Sequence, residues 1–142
     1  MVDYPVKFRS TTSSEKEKET WDVSTDESLK TNMSVPPSFG GSDSEPSPES
    51  LYTASIETCF IATFKKIAER KDLDYKAIES ETVLELDRGK DSRPIMKSGT
   101  IELEISEVEN EDKAEQLVKE AEKNCFIHNS VKTKIEVSTS YK

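Results

Sequence analysis

One stretch constrains this chain more than any other: Ser47 to Lys71, SPESLYTASIETCFIATFKKIAERK. Between Glu49 and Lys65 its only charge is Glu57. Folded as a helix, it carries apolar or small residues on every side: Leu51, Ala54, Ile56, Cys59, Phe60, Ile61, Ala62 and Phe64. A helix apolar all round is expected to be buried all round. Ser47 is the expected N-cap, with Pro48 at the first helical position and Glu49 in the first turn.

The rest of the chain supplies little to bury it with. Of 142 residues, 32% are hydrophobic and 35% are charged, with mean hydropathy -0.73. The length predicts one domain spanning residues 1–142. The thin apolar supply predicts a second copy of the chain covering what one copy cannot. A net charge of -9 repels phosphate backbones and excludes nucleic acid as a natural partner. The N-terminus MVDYPVKFRS lacks an apolar signal region, and the apolar part of the helix is too short to span a bilayer. The expectation is a cytoplasmic protein with no membrane partner.

Along the chain, Val2, Tyr4, Val6 and Phe8 alternate with polar residues and predict a strand, with Ser10 to Lys18 as a polar turn. Trp21 and Val23 predict a second strand; Leu29, Met33 and Val35 a third. Residues 1–39 are then a β-meander; the alternative is a disordered Ser/Thr-rich tail. Pro36 to Pro48 is a loop. After the helix (residues 47–71) a β-hairpin region is expected over 73–108, with strands at Thr82–Leu86 and Ile101–Ile105 and a polar tip over Arg88–Ser98. Asn110 caps a second helix over 110–125, whose apolar face is Ala114, Leu117, Val118, Ala121 and Cys125. Phe126 to Ser130 turns the chain into a last strand over 133–141. The order is β-β-β-α-β-β-α-β, an α+β fold.

Cys59 and Cys125, 66 positions apart, are the only cysteines. They do not make a secreted disulfide framework. Either they are two reduced packing thiols, or face-to-face helices bring them within disulfide range as a redox pair. Reactivity then requires a cation or donor to offset burial, which raises a thiol pKa. Glu49 precedes Cys59 by ten positions, about 15 Å along a straight helix, so the two cannot touch within one such helix. Taken alone, Glu49 reads as a first-turn acid stabilised by the helix dipole. His128 with Cys125 has ligand-like spacing and Cys59 could be a third ligand, but no fourth is evident for structural zinc. No metal or other cofactor is expected.

The stretch SEPSPESLYTASIETCFIATF resembles the signature of OsmC-like proteins, the osmotically inducible protein C and organic hydroperoxide resistance superfamily. Proline and glutamate open a long helix there, with a cysteine ten positions after the glutamate; here these are Pro48, Glu49 and Cys59. The continuation IAERKDLDYKAIE, the helix KAEQLVKEAEKNCFIHNSV with Cys125, and the closing TKIEVSTSY are also similar to the family. The likeness spans roughly Gly40 to Tyr141. It implies an intertwined homodimer with central helices and active sites at the subunit interface. In peroxidase members Cys59 would be the peroxidatic thiol, Cys125 the resolving thiol, and Glu49 would orient a catalytic arginine; an unidentified dithiol would restore the pair. The chain departs from the pattern at that arginine. Ser10 to Lys18 contains none; Arg9 just before it, Lys16 and Lys18 within it, or Arg93 in the hairpin are the substitutes available.

Two functions follow. One is a thiol-dependent peroxidase for organic hydroperoxides, acting in oxidative-stress defence, with Arg9, Leu51, Phe60 and Phe64 on the substrate. The other is a non-catalytic dimeric module that binds a small apolar ligand in the same interface cleft.

Overall fold

The computed structural model describes residues 1–142. It is an α+β architecture with two three-stranded sheets and three α-helices. The chain forms two compact units, Met1–Tyr52 and Thr53–Lys142.

The first unit holds an antiparallel meander of β1 (Ser10–Ser14), β2 (Trp21–Thr25) and β3 (Lys30–Met33), in that spatial order. The β2–β3 turn is organised by Thr25. Its Oγ1 accepts the amides of Glu27 and Leu29, both at 3.3 Å, around Ser28 with φ 75°. The strand expected over Val2–Phe8 is absent. Tyr4 and Phe8 are 78% and 72% exposed, and the sheet begins instead at Ser10. Alternation supplies an apolar face but not a hydrogen-bonded neighbour, and β2 pairs with the hydroxyl-rich Ser10–Ser14. All five of those residues are exposed, so backbone pairing and not burial holds β1.

Beyond a single 3-10 turn, Pro37–Phe39, buried Ser34 ties the loop down. Its amide donates to the Pro46 carbonyl at 3.1 Å, and its Oγ accepts the Ser42 amide at 3.0 Å. Helix α1 (Pro48–Arg70) starts here and runs through the second unit. Ser47 caps it as expected. Its Oγ accepts the Ser50 amide at 3.1 Å, and the Ser50 Oγ accepts the Ser47 amide at 3.0 Å, a reciprocal box built from two serines. Two residues past its end, Asp72 at φ 54° stops the helix. The Leu73 amide reaches back to the Ala68 carbonyl (2.9 Å) and the Asp72 amide to Glu69 (3.3 Å), the paired bonds of a left-handed C-terminal stop.

α1 is not buried all round. Ile56, Phe60, Phe64, Ile67 and Ala68 form one buried face, while Ala54, Thr58 and Ala62 are exposed. The large side chains are gathered on the buried side, and small ones occupy the other.

The second unit continues with β4 (Ala77–Arg88) and β5 (Pro94–Ser106), an antiparallel hairpin with a bulge at Glu85/Leu86. The strands run further than the apolar pattern indicated. Only residues 89–93 form the tip, because β4 and β5 pair through polar positions as far as Arg88↔Pro94. Gly99 lies opposite Leu84, where a Cβ would run into the Val83 carbonyl and the Leu84 side chain. β6 (Lys134–Tyr141) lies parallel to β5, giving the order β4-β5-β6. A parallel neighbour needs a long crossover. It is supplied by α2 (Glu111–Asn124), capped by the Asn110 side chain on the Lys113 amide at 3.0 Å, and by α3 (Phe126–Ser130). α3 replaces the expected turn.

Ile101, Leu103 and Ile105 of β5 are buried, as are Ala114, Leu117, Val118 and Ala121 of α2. Each fully buried Ile or Phe contributes about 1.5–3 kcal/mol. Polar ties fix the elements: Tyr141 Oη donates to Glu115 Oε1 at 2.8 Å, joining β6 to α2. Thr82 Oγ1 donates to Glu57 Oε2 at 2.8 Å, joining β4 to α1. Tyr75 and Phe64 pack in a T-shaped arrangement, with ring centroids 5.8 Å apart.

Candidate functional site

The chemistry-bearing residues of the second unit meet where α1 passes the junction of α2 and α3. Cys59 sits in the middle of α1 and is partly exposed. Cys125 is the residue between α2 and α3, at once the C-cap of one and the N-cap of the other. It is 0% exposed. Both are free thiols, and the two side chains are in hydrogen-bonding contact across 66 positions of sequence. The apolar face of α2 aims Cys125 inward, and its i, i+3, i+4, i+7, i+11 spacing is what brings it to α1.

The two thiols are not equivalent. Burial pushes Cys125 up to about 11, because a thiolate there would lose its hydration. The His128 amide at the start of α3 works against this, and the Ile127 amide does so more weakly. Cys59 adds to the rise, both as hydrogen-bond partner and as charge. A negative charge on Cys59 therefore holds the proton on Cys125. The pair presents one reachable sulfur and one sheltered, protonated sulfur.

Around Cys59 the helix surface is small. Thr58 and Ala62, at i-1 and i+3, are exposed, and Ser55 is half-buried. Glu57, two positions before Cys59, is held by Thr82 and so fixes this turn of α1 against β4. The sequence marks Glu57 as the lone charge of the stretch but gives it no partner. The amides of Ile127 and His128 escape sequence reasoning altogether, since backbone donors leave no side-chain signal.

The other expected site residues are placed as follows. Glu49 is half-buried in the first turn of α1, ten residues before Cys59 on the same helix. Leu51 is half-buried. Phe60 and Phe64 have no exposed surface and belong to the core. Arg9 is exposed at the position before β1, its carbonyl accepting the Asp26 amide at 3.3 Å. The segment between β1 and β2 contains Lys16 and Lys18 and no arginine; Lys18 pairs with Glu15 at 3.5 Å. Arg93 is held at the hairpin tip by Asp91, with Nε to Oδ2 at 2.7 Å. His128 Nδ1 is buried and makes no hydrogen bond. No three His, Cys, Asp or Glu side chains converge on a metal-sized site. No helix is long and apolar enough to cross a membrane.

The sequence model for OsmC-like protein matches residues 41–140. No curated protein matches the sequence. Solved structures match throughout. An OsmC-like protein of unknown function from Vibrio cholerae superposes with a TM-score of 0.88 at 15% identity, over 96% of this chain and 100% of that one. An organic hydroperoxide resistance protein OsmC from Legionella pneumophila gives 0.81 at 19% identity, over 97% and 99%. The organic hydroperoxide resistance protein OhrB of Bacillus subtilis gives 0.63 at 19%, over 96% and 98%.

Proposed function

Because the chain belongs to the OsmC-like protein family, we propose that it is a thiol-dependent peroxidase reducing organic hydroperoxides in oxidative-stress defence. The observation that carries this reading is the contact between a reachable Cys59 and a sheltered Cys125.

The Cys59 thiolate attacks the outer oxygen of the hydroperoxide. An S–O bond forms, the O–O bond breaks, and the alcohol leaves with a proton. Cys59 is then a sulfenic acid. Cys125 attacks that sulfur, an S–S bond forms, and water departs with the Cys125 proton. A dithiol reductant returns the pair by two exchanges and leaves as its own disulfide. The contact already present means the second step needs little movement. The protonated state of Cys125 keeps it from competing for the peroxide in the first.

Glu49 is proposed as the acid that orients a cation for the peroxide, with Arg9 or a lysine of the β1–β2 segment in the place of the family's arginine. A lysine offers a point charge and not a planar fork, so turnover slower than in an arginine-bearing member follows. Leu51 and the small surface around Cys59 favour an alkyl group over water-like hydrogen peroxide. The Legionella and Bacillus proteins are both named for organic hydroperoxide resistance, which supports the same substrate class. The site is proposed to be completed in a homodimer.

Turnover tests it. With cumene hydroperoxide and a small dithiol, the protein should consume peroxide. Cys59→Ser should abolish consumption. With the dithiol left out, Cys125→Ser should consume one equivalent per chain and then stall with Cys59 as a sulfenic acid. Equal consumption by the wild type and Cys59→Ser would remove Cys59 from the chemistry.

A further inference from the structure

The two thiols are also a donor pair, whatever they do with a peroxide. Cys59 and Cys125 are free and in hydrogen-bonding contact, so one small atom can touch both sulfurs. Their backbones are fixed on either side of it. Cys59 lies within α1, where its carbonyl accepts the Thr63 hydroxyl at 2.8 Å. The Cys125 carbonyl accepts the Asn129 amide at 2.9 Å. The Asn129 side chain donates to the Lys123 carbonyl at 2.9 Å, which ties the end of α2 to α3. Each sulfur keeps rotation about its own χ1 as its main freedom.

The donor set is short, and that selects the ion. His128 Nδ1 is buried without a hydrogen-bond partner, but it does not converge with the two sulfurs. No three His, Cys, Asp or Glu side chains meet on a metal-sized site. Zinc takes four protein ligands, or three and a water, and calcium and magnesium take oxygen. Two thiolates alone suit a soft monovalent ion, and among biological metals thiolate selects copper(I). The surroundings fit the same ion. Cys125 has no exposed surface, so the metal is sheltered from water on that side. Two thiolates around one monovalent cation leave one negative charge, and the amides of His128 and Ile127 face it at Cys125.

We propose that Cys59 and Cys125 of one chain form a two-coordinate site for copper(I). Two Cu–S bonds form, two S–H bonds break, and two protons pass to solvent; no oxidation state changes. Both donors belong to one chain, and the ion sits between α1 and the α2–α3 junction. A second copy over Ala54, Thr58 and Ala62 is therefore not displaced. The site rests on the contact of the thiols and not on their reaction with peroxide.

The test titrates reduced full-length protein with copper(I) under nitrogen against the chelator bicinchoninate, with and without equimolar zinc. One copper(I) per chain should be withdrawn from the chelator, and zinc should not displace it. Cys59→Ser and Cys125→Ser should each lose the ion, with circular dichroism checking that both are folded. X-ray absorption of the copper-loaded wild type needs no variant and should show two sulfur neighbours and nothing else. No copper withdrawn, displacement by zinc, or a nitrogen, oxygen or third sulfur on the metal would each overturn the site. Retention by Cys125→Ser would place the ion between Cys59 residues of two copies and overturn it as well. Copper bound without a disulfide forming under cumene hydroperoxide would sustain the site and remove the redox reading. A disulfide without copper binding would do the reverse.

Discussion

At the scale of single residues, the chemistry rests on the inequality of two thiols. Cys125 is sealed by its surroundings and keeps its proton up to about pH 11. At pH 9 only about one Cys125 in a hundred would be ionised, against about half of the thiols at the ordinary value of 9.0. This has a consequence for stability. A thiol whose folded pKa is raised binds its proton more tightly folded than unfolded. Its contribution is fully present below the unfolded pKa and is lost as pH rises through the folded value. The wild type should therefore lose stability between about pH 9 and pH 11 more steeply than Cys125→Ala, measured as urea midpoints at successive pH values. Parallel slopes would mean that Cys125 is not held protonated. Tyr141 and Tyr75 are raised as well, Tyr141 by burial and then by Glu115, Tyr75 by burial. Both add to the alkaline slope equally in the two proteins, so the difference isolates the thiol.

At the scale of elements, local chemistry and pairing had different legibility in the sequence. Caps were readable: Ser47 and Asn110 stand where their side chains promised. So was the apolar face of α2, because its period is set by the helix alone. The strands over 21–25 and 30–33 and the last strand were also legible. The first strand was not. Val2 to Phe8 has the better alternation, yet Ser10 to Ser14 has the neighbour. α3 was hidden because five residues show no period, and with it the two amides that face Cys125. The contact of Cys59 with Cys125 was legible only as a condition, if the helices pack face to face. Register across the hairpin was not legible at all, and it places Glu79 opposite Glu104 and Glu81 opposite Glu102. Like charges directly opposite on one face are unfavourable. Lys142 answers only Glu104, at 3.9 Å. Glu81→Lys should therefore stabilise the protein by about 0.5 kcal/mol in low salt, with the gain shrinking as salt is added. A loss of stability in low salt would contradict the register.

At the scale of the whole molecule, the all-round apolar character of α1 resolves into two faces. One is filled by Ile56, Phe60, Phe64, Ile67 and Ala68; the other leaves Ala54, Thr58 and Ala62 open. A composition of 32% hydrophobic residues has little left to cover that second face from within the chain. We propose that a second copy covers it, which is also where a residue such as Glu49 could meet a thiol that its own helix holds about 15 Å away. Sedimentation at micromolar concentration should give a species of twice the 16.0 kDa chain mass. A single 16.0 kDa species would leave the site to one chain.

We propose, then, that Cys59 and Cys125 act as a redox pair on an organic hydroperoxide. The most direct measurement treats reduced protein with one equivalent of cumene hydroperoxide, quenches free thiols, and maps peptides without reductant. A Cys59–Cys125 disulfide within each chain, formed as the peroxide disappears, is the expected result. Both thiols recovered free, with the peroxide intact, would contradict it.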